Sequence, residues 1–213
     1  MMTRIEEVEE KWEYLLSRYL MPPKVVVFIG HPAWLVCQPL FDKEWKDIPT
    51  VICYSRDSMP RNLENFVNKD FLGEGKFVLT EVATAGYNLT VIKQPFYVKN
   101  TIDLIRRLQP EVKKIALISD DRYISAMVRE EVCGVLEKDF PELKLDLLTS
   151  IDISTEKLLD TLMGYSREVG IIYNSWFVGK KQSESHYLSD NLQKIIYGFV
   201  DAPVFTLTEM DME

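Results

Sequence analysis

The stretch KKIALISDD, residues 113–121, indicates the fold class of this chain most clearly. Its centre, IALI, is a short apolar run of the kind that forms a strand buried on both faces of a parallel sheet. Two adjacent acids, Asp120 and Asp121, end the run, and the helical pattern YISAMVREEVCGVLEKDFP follows at 123–141. A buried strand followed by a long helix is the unit from which parallel α/β sheets are built.

Helices and strands continue to alternate on both sides of this unit, as a parallel sheet with crossover helices requires. A helix precedes it at 98–112, with Asn100 or Thr101 as the expected N-cap and Pro110 beyond its end. The elements predicted after it are a strand at 143–150, a helix at 154–168, a strand at 169–176, a helix at 189–201 and a strand at 202–209.

The first part of the chain shows the same alternation less regularly. Its predicted elements are an amphipathic helix at 4–20, the strand KVVVFIGHP at 24–32 buried on both faces, a short helix at 34–43 and a second buried strand, IPTVICYSR, at 48–56. Residues 56–92 contain Gly73, Gly75 and Gly86 and no clean helical period, which favours loop and short extended pieces. The chain begins on a helix without a preceding strand and stops soon after a strand, so it is expected to be truncated at both ends.

Composition narrows the class of protein. The net charge is -8 with dispersed acids and no basic stripe, which argues against a nucleic-acid partner. No apolar run approaches the roughly 20 residues that span a bilayer, and the N-terminus lacks the apolar centre of a signal peptide. The cysteines, Cys37, Cys53 and Cys133, have no metal-ligand spacing and are predicted to be buried small apolar residues, in a pattern that weakly favours a reducing compartment.

Several catalytic motifs are absent from the sequence. It has no G-x-G-x-x-G, Walker or G-x-S-x-G pattern, and GEGK at 73–76 lacks the Walker spacing. A phospho-accepting receiver domain would need a third Asp at the end of the strand two units after Asp120, where this chain has Tyr173, Asn174 and Ser175. No cofactor and no metal is predicted.

Position along the chain then points to a binding site, because open α/β sheets bind ligands beyond the carboxyl ends of their strands. Aromatic and hydrogen-bonding side chains at those ends suit a small polar ligand with apolar faces, such as a sugar or an amino acid derivative. The plainer interpretation of each is a turn residue or an ordinary loop aromatic. The candidates are His31, Trp34, Tyr54, Arg56, Asp120, Asp121, Arg122, Tyr123, Asn174, Ser175, Trp176 and Glu209.

Three segments resemble a known family. NTIDLIRRLQPEVKKIALISDD at 100–121, DAPVFTLTEMDM at 201–212 and DIPTVICYS at 47–55 are similar, in the same order, to segments of ABC-type substrate-binding proteins. The versions used as extracytoplasmic sensor regions of hybrid two-component histidine kinases are the most similar. The resemblance covers roughly 45–213 and implies a type I periplasmic-binding-protein-like fold, with two Rossmann-like, flavodoxin-like lobes that hold a ligand in a cleft. Residues 1–92 would be a partial first lobe with the crossing segment, and 93–213 a second lobe without its closing elements.

The resemblance implies that this chain is the ligand-binding part of a membrane-bound sensor kinase, without catalysis of its own. Lobe closure around a small solute would carry the signal, the parent receptor would be a homodimer, and the domain would be extracytoplasmic and attached to the membrane only through flanking segments. The alternatives are the solute-binding component of an ABC transporter and a small α/β enzyme, for which a cytoplasmic location would be considered. In the enzyme, Asp120 and Asp121 would raise one another's pKa and supply a general acid.

Overall fold

The computed structural model describes residues 5–19, 21–71, 75–177, 194–198, 200 and 202–207. The chain is an α/β protein with parallel sheets, and it divides into two compact units, Met1–Pro95 and Phe96–Glu213. None of the helices in the described part is both long and apolar enough to cross a bilayer.

Unit 1 contains one parallel sheet of three strands and one small antiparallel pair. The sheet has the order β1-β2-β5, and the pair is β3 with β4. The elements are α1 (Ile5–Arg18), β1 (Val26–Ile29), α2 (His31–Phe41), β2 (Thr50–Ser55), β3 (Ser58–Pro60), α3 (Leu63–Val67), β4 (Phe77–Leu79), α4 (Thr80–Ala83) and β5 (Leu89–Lys93).

One expectation for unit 1 is wrong, and another is confirmed only in part. Strand β1 is not buried on both faces, since Val27 and Ile29 are 58% and 73% exposed and only the Phe28 face is covered, by Trp34 of α2. An apolar run cannot by itself show which faces of a strand are covered. The short extended pieces expected in 56–92 are confirmed as β3, β4 and the start of β5, the third strand of the sheet, but the segment also holds two short helices, α3 and α4, that were not expected.

An aromatic cluster on helix α2 forms the core of unit 1. The Trp34 ring lies 5.9 Å from Phe28, 5.3 Å from Phe41 and 4.9 Å from Tyr87, measured between centroids. Edge-to-face and tilted contacts at these distances stabilise such clusters beyond the area that they bury. Helix α1 joins the cluster through the Trp12 indole, which donates a hydrogen bond to the main-chain oxygen of Val36.

Unit 2 follows the prediction closely. Its parallel sheet has the order β7-β6-β8-β9. The elements are α5 (Val98–Leu108), β6 (Lys114–Ser119), α6 (Tyr123–Asp139), β7 (Lys144–Thr149), α7 (Thr155–Met163), β8 (Val169–Tyr173) and β9 (Val204–Phe205). Residues 194–198 are helical, and the rest of the helix predicted at 189–201 lies mostly outside the described residues.

The expected cap of α5 is wrong. The helix begins at Val98 with Tyr97 in the cap position, so Asn100 and Thr101 lie inside its first turn. Thr101 is buried, and its amide donates to the Tyr97 carbonyl oxygen. The apolar spacing predicts the helix correctly, but the polar residues Asn100 and Thr101 do not mark where it begins.

Strand β6 is the centre of unit 2. Ile115, Ala116, Leu117 and Ile118 are fully buried, as predicted for a strand covered on both faces. The chain places β7 on one side of β6 and β8 on the other, so the direction of strand addition reverses at β6. In open α/β sheets the gap beyond the carboxyl ends at such a reversal is where ligands bind. In unit 2 this reversal lies at the carboxyl edge between β6 and β8.

The cysteines are free, and they differ in burial. Cys37 is buried in α2, as predicted, and burial raises its pKa to about 11. Cys53 and Cys133 are only half-buried, so the prediction of full burial is wrong for both.

Candidate functional site

A hydrogen-bonded group of polar side chains lies at the carboxyl edge of β6 and β8 in unit 2. Asp120 directly follows β6, Asn174 and Ser175 directly follow β8, and Ser125 comes from the first turn of α6. The main-chain N–H of Asn174 donates to the Ile118 carbonyl oxygen at 3.0 Å, so the pairing of β6 with β8 extends up to these side chains. We refer to Asp120, Arg122, Ser125, Asn174 and Ser175 as the edge cluster.

Asp120 is the buried centre of the edge cluster. Its side chain is fully buried, and its Oδ1 accepts hydrogen bonds from the Arg122 amide at 3.0 Å and from the Ser125 hydroxyl at 2.6 Å. Its Oδ2 accepts from Nε of Arg122 at 2.9 Å and faces Nη2 of the same guanidinium at 2.7 Å. Four donors match the lone pairs of an ionised carboxylate.

These contacts keep Asp120 ionised. Burial by itself raises the pKa of the carboxyl group, but the hydrogen bonds from Arg122 and Ser125 and the charge of Arg122 bring the pKa below its ordinary value. The raised pKa expected of a general acid at Asp120 is therefore wrong. The charge that contacts the Asp120 carboxylate is the Arg122 guanidinium, with Nη2 2.7 Å from Oδ2.

Ser125 links the Asp120 side of the edge cluster to the β8 side. Its hydroxyl gives its one hydrogen to Asp120, so the Ser175 hydroxyl, 2.9 Å away, donates to Ser125. The Asn174 side-chain amide donates to Ser125 at 3.0 Å and to Ser175 at 3.1 Å. The hydrogen bonds among these three side chains connect the start of α6 to the end of β8.

Arg122 is the exposed member of the edge cluster. Its side chain is 49% exposed, and the guanidinium carbon lies 5.7 Å from the centre of the Phe177 ring, which is 50% exposed. Below it, Arg129 donates from Nη1 to the Ser119 hydroxyl at 2.7 Å and to the Asp120 carbonyl oxygen at 2.5 Å. Burial lowers the pKa of Arg129. Arg129 thus stabilises the carboxyl end of β6, and Arg122 faces solvent.

The other predicted residues of unit 2 take different positions. Trp176 is not at the surface: it belongs to the hydrophobic core with Leu158 and Ile171, and its indole N–H donates to Thr155 at 3.1 Å. Asp121 and Tyr123 are half-buried beside the edge cluster. Glu209 lies outside the described residues.

Unit 1 brings a second polar group together at the ends of β1 and β2. Nε2 of His31 lies 2.5 Å from the Ser55 hydroxyl and 3.3 Å from the Thr80 hydroxyl, and the Arg56 amide points at it from 3.4 Å. The Thr80 hydroxyl donates to the Arg56 carbonyl oxygen at 2.7 Å. Of the other residues predicted here, Trp34 is in the core, and Tyr54 is exposed with φ of 53°.

His31 is held neutral in this group. The side chain is fully buried, and its Nδ1 has no hydrogen-bond partner among the described residues. Burial, followed by the positive charge of Arg56, lowers the pKa of His31 to about 4. The neutral imidazole thus packs between the end of β2, at Ser55, and the start of α4, at Thr80.

Sequence reasoning missed three members of these groups: Ser125, Arg129 and Thr80. Ser125 and Arg129 could have been found, because they stand one and two turns into the helix that follows Asp120 and face back toward the strand end. Thr80 could not, since it lies 49 residues from His31 in a segment that shows no helical period.

No three His, Cys, Asp or Glu side chains gather as a metal site within the described ranges. The edge cluster instead combines one buried carboxylate, one exposed guanidinium and a set of hydroxyl and amide groups. Comparison with protein-family models, curated proteins and solved structures found no match to this chain.

Proposed function

We propose that this chain is a ligand-binding domain of the type I periplasmic-binding-protein class, serving as the extracytoplasmic sensor region of a membrane-bound two-component histidine kinase. The observation that carries the binding function is the edge cluster at the point where strand order reverses in unit 2. The assignment to a sensor rests on the resemblance of residues 45–213 to such regions.

Three properties of the edge cluster support binding of a small polar solute. Arg122 and Phe177 present a charged and an aromatic surface side by side, each about half exposed. Asn174 and Ser175 are half-buried, so their polar atoms lie at the solvent boundary. The hydrogen bonds among Asp120, Ser125 and Ser175 fix these groups in place before a ligand arrives, which reduces the entropy lost on binding.

Binding is favoured over catalysis at this site by the state of Asp120. A general acid must hold a proton near neutral pH, and the lowered pKa of this carboxyl group keeps it ionised. Each of its oxygens already accepts hydrogen bonds from the chain. Its role in the proposed site is to position Arg122 and Ser125.

Thermal unfolding in the presence of a panel of small solutes tests the proposal. The panel contains neutral monosaccharides, sugar acids and amino acids, and the variant is Ser175→Ala, which removes a hydroxyl of the edge cluster. The matched control is Ser166→Ala, which removes an exposed hydroxyl just before β8, at the other end of that strand. We expect at least one solute to raise Tm of the wild type and the Ser166 variant by several degrees, and of the Ser175 variant by less. A rise that Ser175→Ala leaves unchanged would place binding elsewhere.

The solute-binding component of an ABC transporter shares this fold and this site. The two differ in what is attached to the domain, so the gene on either side decides between them. A reading frame that continues into a membrane-spanning helix and a kinase supports the sensor, and a neighbouring permease gene supports the transporter. Dimerisation and the extracytoplasmic location belong to the sensor proposal.

A further inference from the structure

The hydrogen-bonding capacity left over in the edge cluster indicates what chemistry its ligand carries. Asp120 has no capacity left, since four donors from Arg122 and Ser125 already occupy its two oxygens. A carboxylate in that state cannot accept hydrogen bonds from the hydroxyl groups of a sugar. Asp120, which the sequence predicts as a ligand-binding residue, therefore positions Arg122 and Ser125 instead.

Arg122 retains most of its donors. A guanidinium has five N–H donors, and two of them, on Nε and Nη2, are directed at Asp120. The three that remain are the second N–H of Nη2 and both N–H groups of Nη1, and one from each of these nitrogens forms the edge that faces away from Asp120, on a side chain that is half exposed. The fork on Asp120 and the Phe177 ring 5.7 Å from the guanidinium carbon together fix the plane of the group. Because the orientation of this guanidinium is already fixed, it loses little conformational entropy when it binds a planar carboxylate or a tetrahedral phosphate.

Helix α6 begins at the same place. It is 17 residues long and starts directly after Arg122, which occupies its N-cap position without capping it through the side chain. The first amides of an α-helix have no acceptor within the helix, and the helix dipole makes that end positive. The free edge of Arg122 and the start of α6 thus belong to one continuous stretch of chain, 122–125.

We propose that the ligand of the edge cluster carries an anionic group, a carboxylate or a phosphate, which the outward edge of Arg122 binds. This inference rests on the proposed binding function and narrows its ligand class from small polar solutes in general to anionic ones. Asn174 and Ser175 would then contact the rest of the molecule from the β8 side.

An NMR titration of the ¹⁵N-labelled full chain tests this directly. The probes are acetate, inorganic phosphate and acetamide, at constant ionic strength, and the signals followed are the Arg122 Nε–H and the amides of Ile124 and Ser125. We expect one or both anions to shift these signals toward saturation with Kd on the order of 1 mM. Acetamide, which has the shape of acetate without its charge, should shift them little. The tighter of the two anions identifies a carboxylate or a phosphate ligand.

Variants assign the effect to Arg122. Arg122→Gln should weaken anion binding at least tenfold, and Arg122→Lys, which keeps the charge and loses the fork, severalfold. Arg107→Gln makes the same change of charge on the exposed face of α5 and should leave Kd within about twofold of the wild type. The lysine variant decides the matter if the glutamine variant does not fold.

Three results would overturn the inference: no shift with either anion, equal shifts with acetamide, or shifts that survive in both Arg122 variants. Its failure is distinguishable from failure of the proposed function. A neutral monosaccharide that shifts the Asn174 and Ser175 signals while the anions shift nothing would leave a binding site in place and refute its anionic ligand.

Discussion

The guanidinium of Arg122 contacts a single oxygen of Asp120 through two nitrogens. Its Nε donates to Oδ2 at 2.9 Å, and its Nη2 lies 2.7 Å from the same atom. The carboxylate is fully buried, whereas the arginine is half exposed. A buried negative charge is thus neutralised by a cation whose other side remains in water, which lowers the cost of desolvating the pair. Both predictions about the edge cluster, its stability and its ligand, follow from this asymmetry.

Replacement of Asp120 by Asn should destabilise unit 2. The amide keeps one acceptor oxygen but places an NH₂ group against the donors of Arg122, so charged hydrogen bonds are lost. Since a hydrogen bond to a charged group contributes about 1.5–3 kcal/mol, we expect the free energy of unfolding to fall by about that amount in urea titrations. Asp160→Asn, the same change on the exposed face of α7, should stay within about 0.5 kcal/mol of the wild type. Equal effects of the two substitutions would contradict the structural role of Asp120.

His31 should make unit 1 sensitive to mild acid. Its pKa is about 4 when folded and about 6.5 when unfolded, so between these values only the unfolded chain binds the proton. The contribution to stability is therefore complete above pH 6.5 and is lost as pH falls toward 4. The loss between pH 7 and pH 5 should be about 2 kcal/mol.

Tryptophan fluorescence in urea measures this loss, because Trp12, Trp34 and Trp45, three of the four tryptophans, belong to unit 1. His31→Gln has no group that titrates in this range, so its stability should change by about 2 kcal/mol less between the two pH values. An unchanged pH slope in that variant would show that His31 is not the titrating group.

Alanine substitution at two glycines of unit 2 should change stability in opposite directions. A Cβ at Gly170 in β8 would lie 2.5 Å from Cγ2 of Ile105, and that side chain is fully buried and has no room to move. Gly170→Ala should therefore destabilise the chain by about 1–3 kcal/mol. A Cβ at Gly134 in α6 meets nothing within 4 Å, so Gly134→Ala should stabilise the chain by about 0.5–1 kcal/mol. Thermal unfolding separates the two, and a stabilising Gly170→Ala would contradict the packing of α5 on β8.

Trp176 should act on stability and not on ligand binding. Trp176→Phe removes the indole N–H that donates to Thr155 and leaves part of the core unfilled, at a cost of about 1–3 kcal/mol. Any solute that raises Tm of the wild type should raise Tm of this variant by the same number of degrees. A smaller rise of Tm in the variant than in the wild type would show that Trp176 contributes to ligand binding.

The sequence predicted unit 2 well because its central strand is buried on both faces, and a solid apolar run such as IALI specifies that environment. The same kind of run misled for β1, where Val27 and Ile29 are exposed. Covered and uncovered apolar faces have the same composition, so the difference arises from tertiary packing and is not encoded in the pattern.

The candidate site was predicted in its location and only partly in its members. Chain position placed Asp120 and Asn174 at the correct edge, since parallel strands share their carboxyl ends. It could not give the direction of the aromatic side chains, and both Trp34 and Trp176 pack into the cores of their units. Nor could it show that the four donors from Arg122 and Ser125 leave Asp120 unavailable to a ligand, because that depends on distances within the folded turn.

Hydrogen exchange, measured with and without the solute that raises Tm most, locates the bound ligand on the chain. A ligand bound at the edge cluster should slow exchange in the peptides that cover 119–126 and 173–177, since these hold the side chains of the site and the first amides of α6. The same measurement on Ser175→Ala should show reduced protection at equal solute concentration. Protection confined to other peptides, or equal protection in both proteins, would contradict a ligand site at the junction of β6 and β8.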